Sequence, residues 1–585
     1  MNFNKSQQAF IDKTKGRVLV SASAGSGKTA AMVGRVKKLI AEGVSPKDIT
    51  VVTFTKNSAE DLVKRIGIEG IRCGTFHGIC YRILAMHGIK FQQPRRFEMD
   101  NVFRLVVNNP KFHDYPEIYS WIGYQKAYGK TPKSVTFEHK VIKSDYLDVE
   151  ILKRCFDAYE KHNFSHGYMD FEDLIIKAVE LLEKKTEEQR LKYQTKYVMV
   201  DESMDSNAVQ NRLAELLCST NNLAIVGDVK QSIYQFRGAR PEEFASFKAD
   251  DVIHFSETYR SGTDIVHTAN KFARRWFNSA IYKDAEATRE EKGKVKIVKS
   301  ESSEFEAKKV ADEIERLISE ENVEPKDIAI LYRFNKMSEL IEIELRERGI
   351  PYFIDAETSF FSLKEIKFIV DVLRLCANRD DDMALDELLT TRVYQGLKFV
   401  NNAEIMNISS QKTNHLDYGI KHSKKPMNKQ GFVNLSAKLK SYKGVKDFTT
   451  LVEKIIDDFK VREYVRDNEG YDYEDRKRRK AALDILVYSC YKYDTIQKFL
   501  DFVQDGGSPK SKRKGKNEVQ LMTVHKSKGL EFKNVFFIGN GVEFPDCDCP
   551  IKDEACIFYV AITRAIDYLY VSYVDYETDF IKSIQ

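Results

Sequence analysis

The chain has 585 residues, of which 42% are hydrophobic and 31% charged, and its 93 Lys and Arg against 88 Asp and Glu leave a net charge of +5. That length is more than one hydrophobic core serves, so three or four domains are expected, and the composition excludes a disordered or fibrous chain. A near-balanced charge does not announce a nucleic-acid binder, so any basic surface must come from local clustering.

The N-terminal "MNFNKSQQAF" lacks the layout of a signal peptide, and no run of 18 apolar residues suggests a membrane span. "RVLVSA" (17–22) then predicts a strand, and the helical spacing of "SGKTAAMVGRVKKLIAEG" predicts a helix that stops at Gly43. "DITVVTFT" (48–55), "YVMVD" (197–201) and "LAIVGD" (223–228) predict further short strands. Strands separated by helices indicate a parallel, doubly wound sheet with ligands at its carboxyl ends, where Ser21–Thr29, Thr53–Thr55, Asp201, Glu202 and Asp228 would fall.

Residues 81–163 read as helical, as an insertion into this first α/β unit of residues 1–80 and 164–262. "KVKIVKS" and "DIAILYR" (327–333), separated by a helix around 304–321, open a second α/β unit of residues 263–361 and 505–585. Residues 362–504 read as a second helical insertion, and "EVQLMTVH" and "NVFFIGN" return as strands. Two basic runs, "EDRKRRK" (474–480) and "KSKRKGK" (510–516), are candidate phosphate grips or solvated faces. Nine scattered cysteines suit reduced thiols in a cytoplasm. Cys547, Cys549 and Cys556 match no standard zinc spacing, so free thiols in a loop are expected.

The chemistry concentrates in two places. "ASAGSGKT" (22–29) follows a strand and opens a helix, the setting in which Ala24, Gly25, Ser26 and Gly27 curl backbone N–H groups around phosphate. Lys28 then reaches the β- and γ-phosphates and the Thr29 hydroxyl takes Mg²⁺; Ala22 stands where this motif usually begins with glycine. In "VDESMDS" the acids Asp201 and Glu202 end a strand, with Asp205 close behind. Such carboxylates repel one another unless solvent or a cation intervenes; Asp201 suits Mg²⁺ and Glu202 suits a base for the attacking water.

"GDVKQSIYQFRGA" (227–239) narrows the reading. Together with "FNKSQQ", "SASAGSGKT", "TFTKNSAEDLVKRI", "GTFHG", "MDFEDLI", "VDESMDSNAVQ", "ETYRSGTDIVHTAN", "DIAILYRFNKMS", "LMTVHKSKGLEFKNVF" and "FYVAITRA", it resembles the UvrD/Rep-type superfamily 1 DNA helicases, in order and over nearly the whole chain. The resemblance implies two RecA-like cores, each carrying a helical insertion. It implies ATP and Mg²⁺ as cofactors, single-stranded DNA and single-strand/duplex junctions as partners, and 3′-to-5′ movement. It also implies that Gln7 reads the adenine edge, Tyr259 stacks on the adenine, Gln231 senses the γ-phosphate, Arg260 and Arg564 act as arginine fingers, and Glu531 contacts the nucleotide. For DNA it points to Phe54, Thr55, Thr75, His77, Tyr234, Phe236, Arg237, Arg333, Asn335 and His525.

Three positions depart from the family pattern: Met204 replaces the usual Gln, Thr258 the usual Asn, and Phe236 a common Trp. A thioether is a weak acceptor and no donor, so a polar contact near the nucleotide is expected to be missing at Met204. Alternatives to an unwinding motor are a translocase that strips proteins from DNA, the motor subunit of a repair, replication or defence complex, and a non-catalytic ATP-dependent switch.

Overall fold

The computed structural model describes residues 2–107, 114–135, 147–278, 280, 282–355, 359–411, 413–468, 471, 473–505, 517–541 and 544–585. It is a mixed α/β structure organised by two six-stranded sheets in which every strand pair is parallel. The first contains β1 (Val18–Ala22), β2 (Ile49–Thr53), β3 (Arg72–Thr75), β4 (Thr195–Val200), β5 (Cys218–Gly227) and β6 (Asp251–Phe255). Their order across the sheet is β3-β2-β4-β5-β1-β6.

The central strands are continuous apolar runs because helices cover both faces. On one face Val18, Val20 and Met199 pack with Met32 and Val36 of the helix Lys28–Ala41. On the other, Leu19, Val198 and Val200 pack with Leu174 and Ile175 of the helix Phe171–Glu183 and Leu213 of the helix Ala208–Leu217.

A two-stranded pair, β7 (Glu257–Thr258) with β8 (Glu286–Ala287), lies between the sheets in sequence. The second sheet contains β9 (Lys294–Ser300), β10 (Ile328–Tyr332), β11 (Tyr352–Phe353), β12 (Val519–Thr523), β13 (Phe532–Asn540) and β14 (Ala565–Val574). Its order is β11-β12-β10-β13-β14-β9. The helix Thr263–Trp276 joins this second core, where Phe272 stacks on Phe558 with ring centroids 4.6 Å apart.

Two helical bodies interrupt the sheets. The helices Arg96–Val106, Asp114–Ala127 and Val149–His166 close around Phe103, Ile118, Trp121 and Phe156. The helices from Lys364–Ala377 to Ile496–Asp505 surround a separate core including Phe368, Leu385, Phe432, Val452 and Leu483. No helix among the described residues is long and apolar enough to cross a membrane.

The strands expected from the sequence are present, and the helix expected around 304–321 runs Ser303–Glu320. Several strands were not anticipated. β3, β6 and β11 are two to five residues long and sit at or beside sheet edges, where pairing on one side tolerates polar sequences such as "RCGT". β14 is an interior strand of alternating aromatic and aliphatic residues.

The basic run 474–480 also departs from a solvated or phosphate-gripping face. Arg478 bonds Glu339 at 2.7 Å and Arg479 bonds Glu365 at 2.8 Å, both acids being buried, so these two guanidiniums are spent on internal pairing. Lys477 and Lys480 stay exposed. The run 510–516 lies outside the described residues.

Candidate nucleotide site and nucleic-acid interface

β1 delivers the loop Ser23–Gly27 to the start of the helix Lys28–Ala41. Gly25 and Gly27 both take φ of +75°, the left-handed region that side chains resist, which curls the loop. Ala22 ends β1 paired with Phe255 in extended backbone, so the residue there has no need to be glycine. The helix N-terminus has no side-chain cap, leaving its N–H groups directed at the loop.

Other segments pack onto this cradle. Gln7 is buried and its Nε2 donates to the Ser26 carbonyl at 2.9 Å. Thr258 Oγ1 donates to the Ala24 carbonyl at 2.7 Å, and the Tyr259 N–H donates to the Gly25 carbonyl at 3.0 Å. Approach is so close that a Cβ on Gly25 would lie 2.5 Å from Arg260 Cβ. Asn4 Nδ2 donates to the Tyr259 hydroxyl at 2.9 Å, which sets the half-exposed Tyr259 ring beside Gln7's helix, Lys5–Asp12.

The acid pair stands opposite. Lys28 Nζ lies 2.9 Å from Glu202 Oε1. Burial works against the Lys28 charge, but Glu202, Asp201 and Asp228 outweigh it and hold the ammonium above its ordinary value. Burial first, and then the charge of Glu202, push the Asp201 carboxyl up. For Glu202 burial is overcome by Lys28 and Lys528, which hold its carboxyl low. Glu202 also sits at φ +50°, a left-handed conformation that costs a non-glycine residue roughly 1 kcal/mol and here turns the carboxylate toward Lys28.

Arg260 and Arg564 meet this site from the second sheet's side. Arg260 Nε donates to Glu531 Oε2 at 2.7 Å and its Nη1 to the Thr563 carbonyl at 3.1 Å. Arg564 is 1% exposed and its Nη2 donates to Gln231 Oε1 at 2.9 Å. Gln231 Nε2 donates in turn to Asp228 Oδ2 at 2.9 Å. Burial, and then the nearby charge of Arg260, push the Arg564 guanidinium below its ordinary value.

The residues fit a nucleoside triphosphate with Mg²⁺. Ser26 Oγ and Glu202 Oε2 are buried without a protein partner, one on the phosphate cradle and one in the acid pair. Lys28, Arg260 and Arg564 converge on the cradle as cationic donors, the type of group that grips phosphate oxygens. Thr29 in the first helical turn and Asp201 at the end of β4 supply oxygens of the type Mg²⁺ takes.

Met204 differs from expectation. It is fully buried, and its Sδ accepts from the Asp228 N–H at 3.4 Å, while its carbonyl accepts from Ser232 Oγ at 3.1 Å. The sulfur thus serves as a weak acceptor for one buried backbone N–H. The side chain also packs tightly, since a Cβ on Gly227 would lie 2.9 Å from that sulfur.

From Gln231 the chain runs directly into an aromatic cluster. Tyr234 stacks on Phe54 with ring centroids 5.0 Å apart and an interplanar angle of 19°. Phe236 is half exposed and meets His525 edge-on at 5.7 Å, and the Arg237 guanidinium lies 5.4 Å from the Phe236 ring. Burial, then the charge of Arg333, push His525 down to about 4, so this ring is neutral at physiological pH. Its Nε2 lies 3.2 Å from the Ile233 carbonyl, an arrangement in which the N–H would donate.

Phe54, His77, Tyr124, Phe171, Tyr234 and Phe236 line a groove of about 820 Å³ between the first sheet and the first helical body. Burial lowers His77 as well. Thr55 and Thr75 cap the helices Lys56–Ile66 and Phe76–Ala85 through their hydroxyls, which accept from Ser58 N and Gly78 N.

Arg333 and Asn335 lie just beyond β10. Arg333 forms a two-pronged pair with Glu554, at 3.0 and 3.2 Å, and Glu554 is fully buried. The guanidinium is thus anchored inward, toward the helix Ile551–Ile562. Asn335 faces a smaller cavity of about 130 Å³ with Phe353 and Lys526. Of the three clustered cysteines, Cys556 is buried against the Val229 carbonyl, Cys549 meets Arg333 and Asp546, and Cys547 is exposed, so they do not converge on one point.

Comparison with known proteins gives the family. Residues 3–251 match the UvrD/REP helicase N-terminal domain and residues 253–576 the UvrD-like helicase C-terminal domain. The ATP-dependent DNA helicase PcrA of Bacillus subtilis is 28% identical over 628 residues, covering 97% of this chain and 82% of that protein. The putative ATP-dependent DNA helicase YjcD of the same organism is 28% identical over 614 residues, covering 98% and 79%. The ATP-dependent DNA helicase Rep of Buchnera aphidicola is 28% identical over 636 residues, covering 98% and 93%. With both halves matched in order, the chain belongs to the UvrD/Rep-type helicase family.

Proposed function

We propose that the protein is an ATP-dependent DNA helicase that moves 3′-to-5′ along single-stranded DNA and unwinds duplex ahead of it. In this reading residues 1–80 with 164–262 and residues 263–361 with 505–585 are the two motor lobes, and 81–163 and 362–504 are their helical insertions. ATP lies on the loop Ala24–Thr29, with its adenine between Gln7 and Tyr259. Mg²⁺ is held by Thr29 and Asp201. Glu202 takes a proton from the attacking water, and Arg260 and Arg564 stabilise charge spreading over the transferring phosphoryl. Lys28 must leave Glu202 for the phosphates, which frees the carboxylate for that task.

The observation that carries the reading is the adjacency of Gln231 and Tyr234. Gln231 bonds Arg564, and three residues later Tyr234 stacks on Phe54 in the groove. A shift of the second lobe on hydrolysis would reach Tyr234 through this loop. Aromatic faces take bases of any sequence, as a motor requires, with roughly 1–3 kcal/mol per stacked base.

Assays of ATP hydrolysis with and without single-stranded DNA, and of strand displacement on duplexes tailed at 3′ or 5′, test this. Stimulated hydrolysis with displacement from the 3′ tail is expected. Displacement from the 5′ tail alone would reverse the polarity, and hydrolysis indifferent to DNA would end the motor reading.

A further inference from the structure

Lys528, which helps hold the Glu202 carboxyl low, is also among the most enclosed cations between the two sheets. It follows the short helix Val524–Ser527 at the end of β12. Its Nζ donates to the Asp205 carboxylate and, at 2.7 Å, to the Gln231 carbonyl. The ammonium also lies 5.1 Å from the centre of the Tyr234 ring. Its side chain is 9% exposed and that of Asp205 is fully buried. One charge from the second sheet thus reaches three groups of the first: Asp205 in the acid turn, and the Gln231 main chain and Tyr234 ring in the loop after β5.

Each of these groups leads into a working part. The Asp205 N–H donates to the Glu202 carbonyl at 2.9 Å, so a displaced Asp205 moves Glu202. Arg564 grips the Gln231 side chain while Lys528 grips its main chain. Tyr234 stacks on Phe54 in the groove. Apolar packing would hold two lobes together at less desolvation cost than a buried ion pair. Moreover, Asp205 Oδ1 has no partner, so the pair is not arranged for maximal stability. An ammonium with three directional contacts transmits position instead: when Tyr234 shifts, the cation beside its face, Asp205 and the Gln231 backbone shift in concert.

We propose that Lys528 is a positioning residue that couples base stacking at Tyr234 to hydrolysis at Glu202, by fastening Asp205 and the Gln231 main chain to the second lobe. The proposal rests on the motor reading above and deepens it.

The test compares hydrolysis at saturating ATP, with and without oligo-dT, in wild type, Lys528→Met, Lys528→Arg, Asp205→Asn and the double variant Asp205→Asn/Lys528→Met, each checked for folding by thermal melting. Lys528→Met and Asp205→Asn should each cut the stimulation ratio at least tenfold. The double variant, which leaves no unpaired buried charge, should fall no further than either alone, and Lys528→Arg should recover part of the ratio. A merely structural lysine would lower both rates and the melting temperature together and leave the ratio unmoved. If wild type is stimulated but the folded double variant keeps its ratio within threefold of wild type, the coupling role is overturned. If wild type itself shows no stimulation, the motor reading fails instead.

Discussion

Arg564 donates from Nη2 to the side-chain oxygen of Gln231 at 2.9 Å, although 333 residues separate them in the chain. That bond closes the two sheets over one site, and it makes the arginine's position depend on a glutamine that leads into the aromatic groove. Replacing Arg564 by Ala should reduce kcat for DNA-stimulated hydrolysis by about 10³-fold or more, as loss of an arginine finger does. KM for ATP should change far less. A variant retaining a tenth of the wild-type kcat would remove Arg564 from the chemistry.

Glu202 and Lys28 form a charge pair on the cradle, at 2.9 Å. Glu202→Gln keeps the shape and removes the base, so turnover should fall at least ~10²-fold. Lys28→Ala should do likewise through lost phosphate contact. Both should keep single-strand affinity within a few-fold of wild type, measured by fluorescence anisotropy. Undiminished hydrolysis in Glu202→Gln would refute its assignment.

The Asp201 carboxyl is raised first by burial and then by Glu202. A carboxyl with a raised folded-state value binds more protons folded than unfolded. Its contribution therefore turns against the fold as pH climbs above the unfolded value of about 4, and is fully unfavourable above the folded one. Asp201→Asn removes that penalty. Without Mg²⁺ the variant should melt ~2 °C or more above wild type at pH 8, with the gap shrinking toward pH 5. A variant that melts no higher at pH 8 would show that the carboxylate is not strained there.

Met204 accepts from the Asp228 N–H through sulfur at 3.4 Å. A glutamine carbonyl is the stronger acceptor and of similar length, so Met204→Gln should keep or raise both melting temperature and hydrolysis. Met204→Ala should cost about 2–5 kcal/mol by opening a cavity against Gly227. A large loss of activity in the glutamine variant would mean that the methionine is matched to its surroundings.

Tyr234 and Arg333 were both expected to touch DNA, and their surroundings separate them. Tyr234→Ala should weaken single-strand binding by roughly 1–3 kcal/mol with little change in melting. Arg333→Ala strands the buried Glu554 carboxylate and should cost about 3–5 kcal/mol of stability. Equal losses of affinity with no loss of stability in either variant would restore Arg333 to the DNA surface.

Much of this protein is legible without coordinates, because the signals are local. The phosphate cradle needs a strand, a glycine-bearing turn and a helix N-terminus in succession, and residues 18–41 supply them in sequence order. The acid pair likewise announces itself by ending an apolar strand. Buried parallel strands such as "VLVSA" and "IAILY" are visible from composition for the same reason, whereas the edge strands β3 and β11 are not, since pairing on one side demands little of them. Tertiary structure alone decided what became of the charges. Arg333 was expected at DNA and Arg478 and Arg479 in a basic run, while Lys528 drew no reading at all, yet each finds a carboxylate between 114 and 323 residues away. The strength of a charged contact depends on burial and on a partner brought close by the folding of both sheets, and neither is written in the residues on either side.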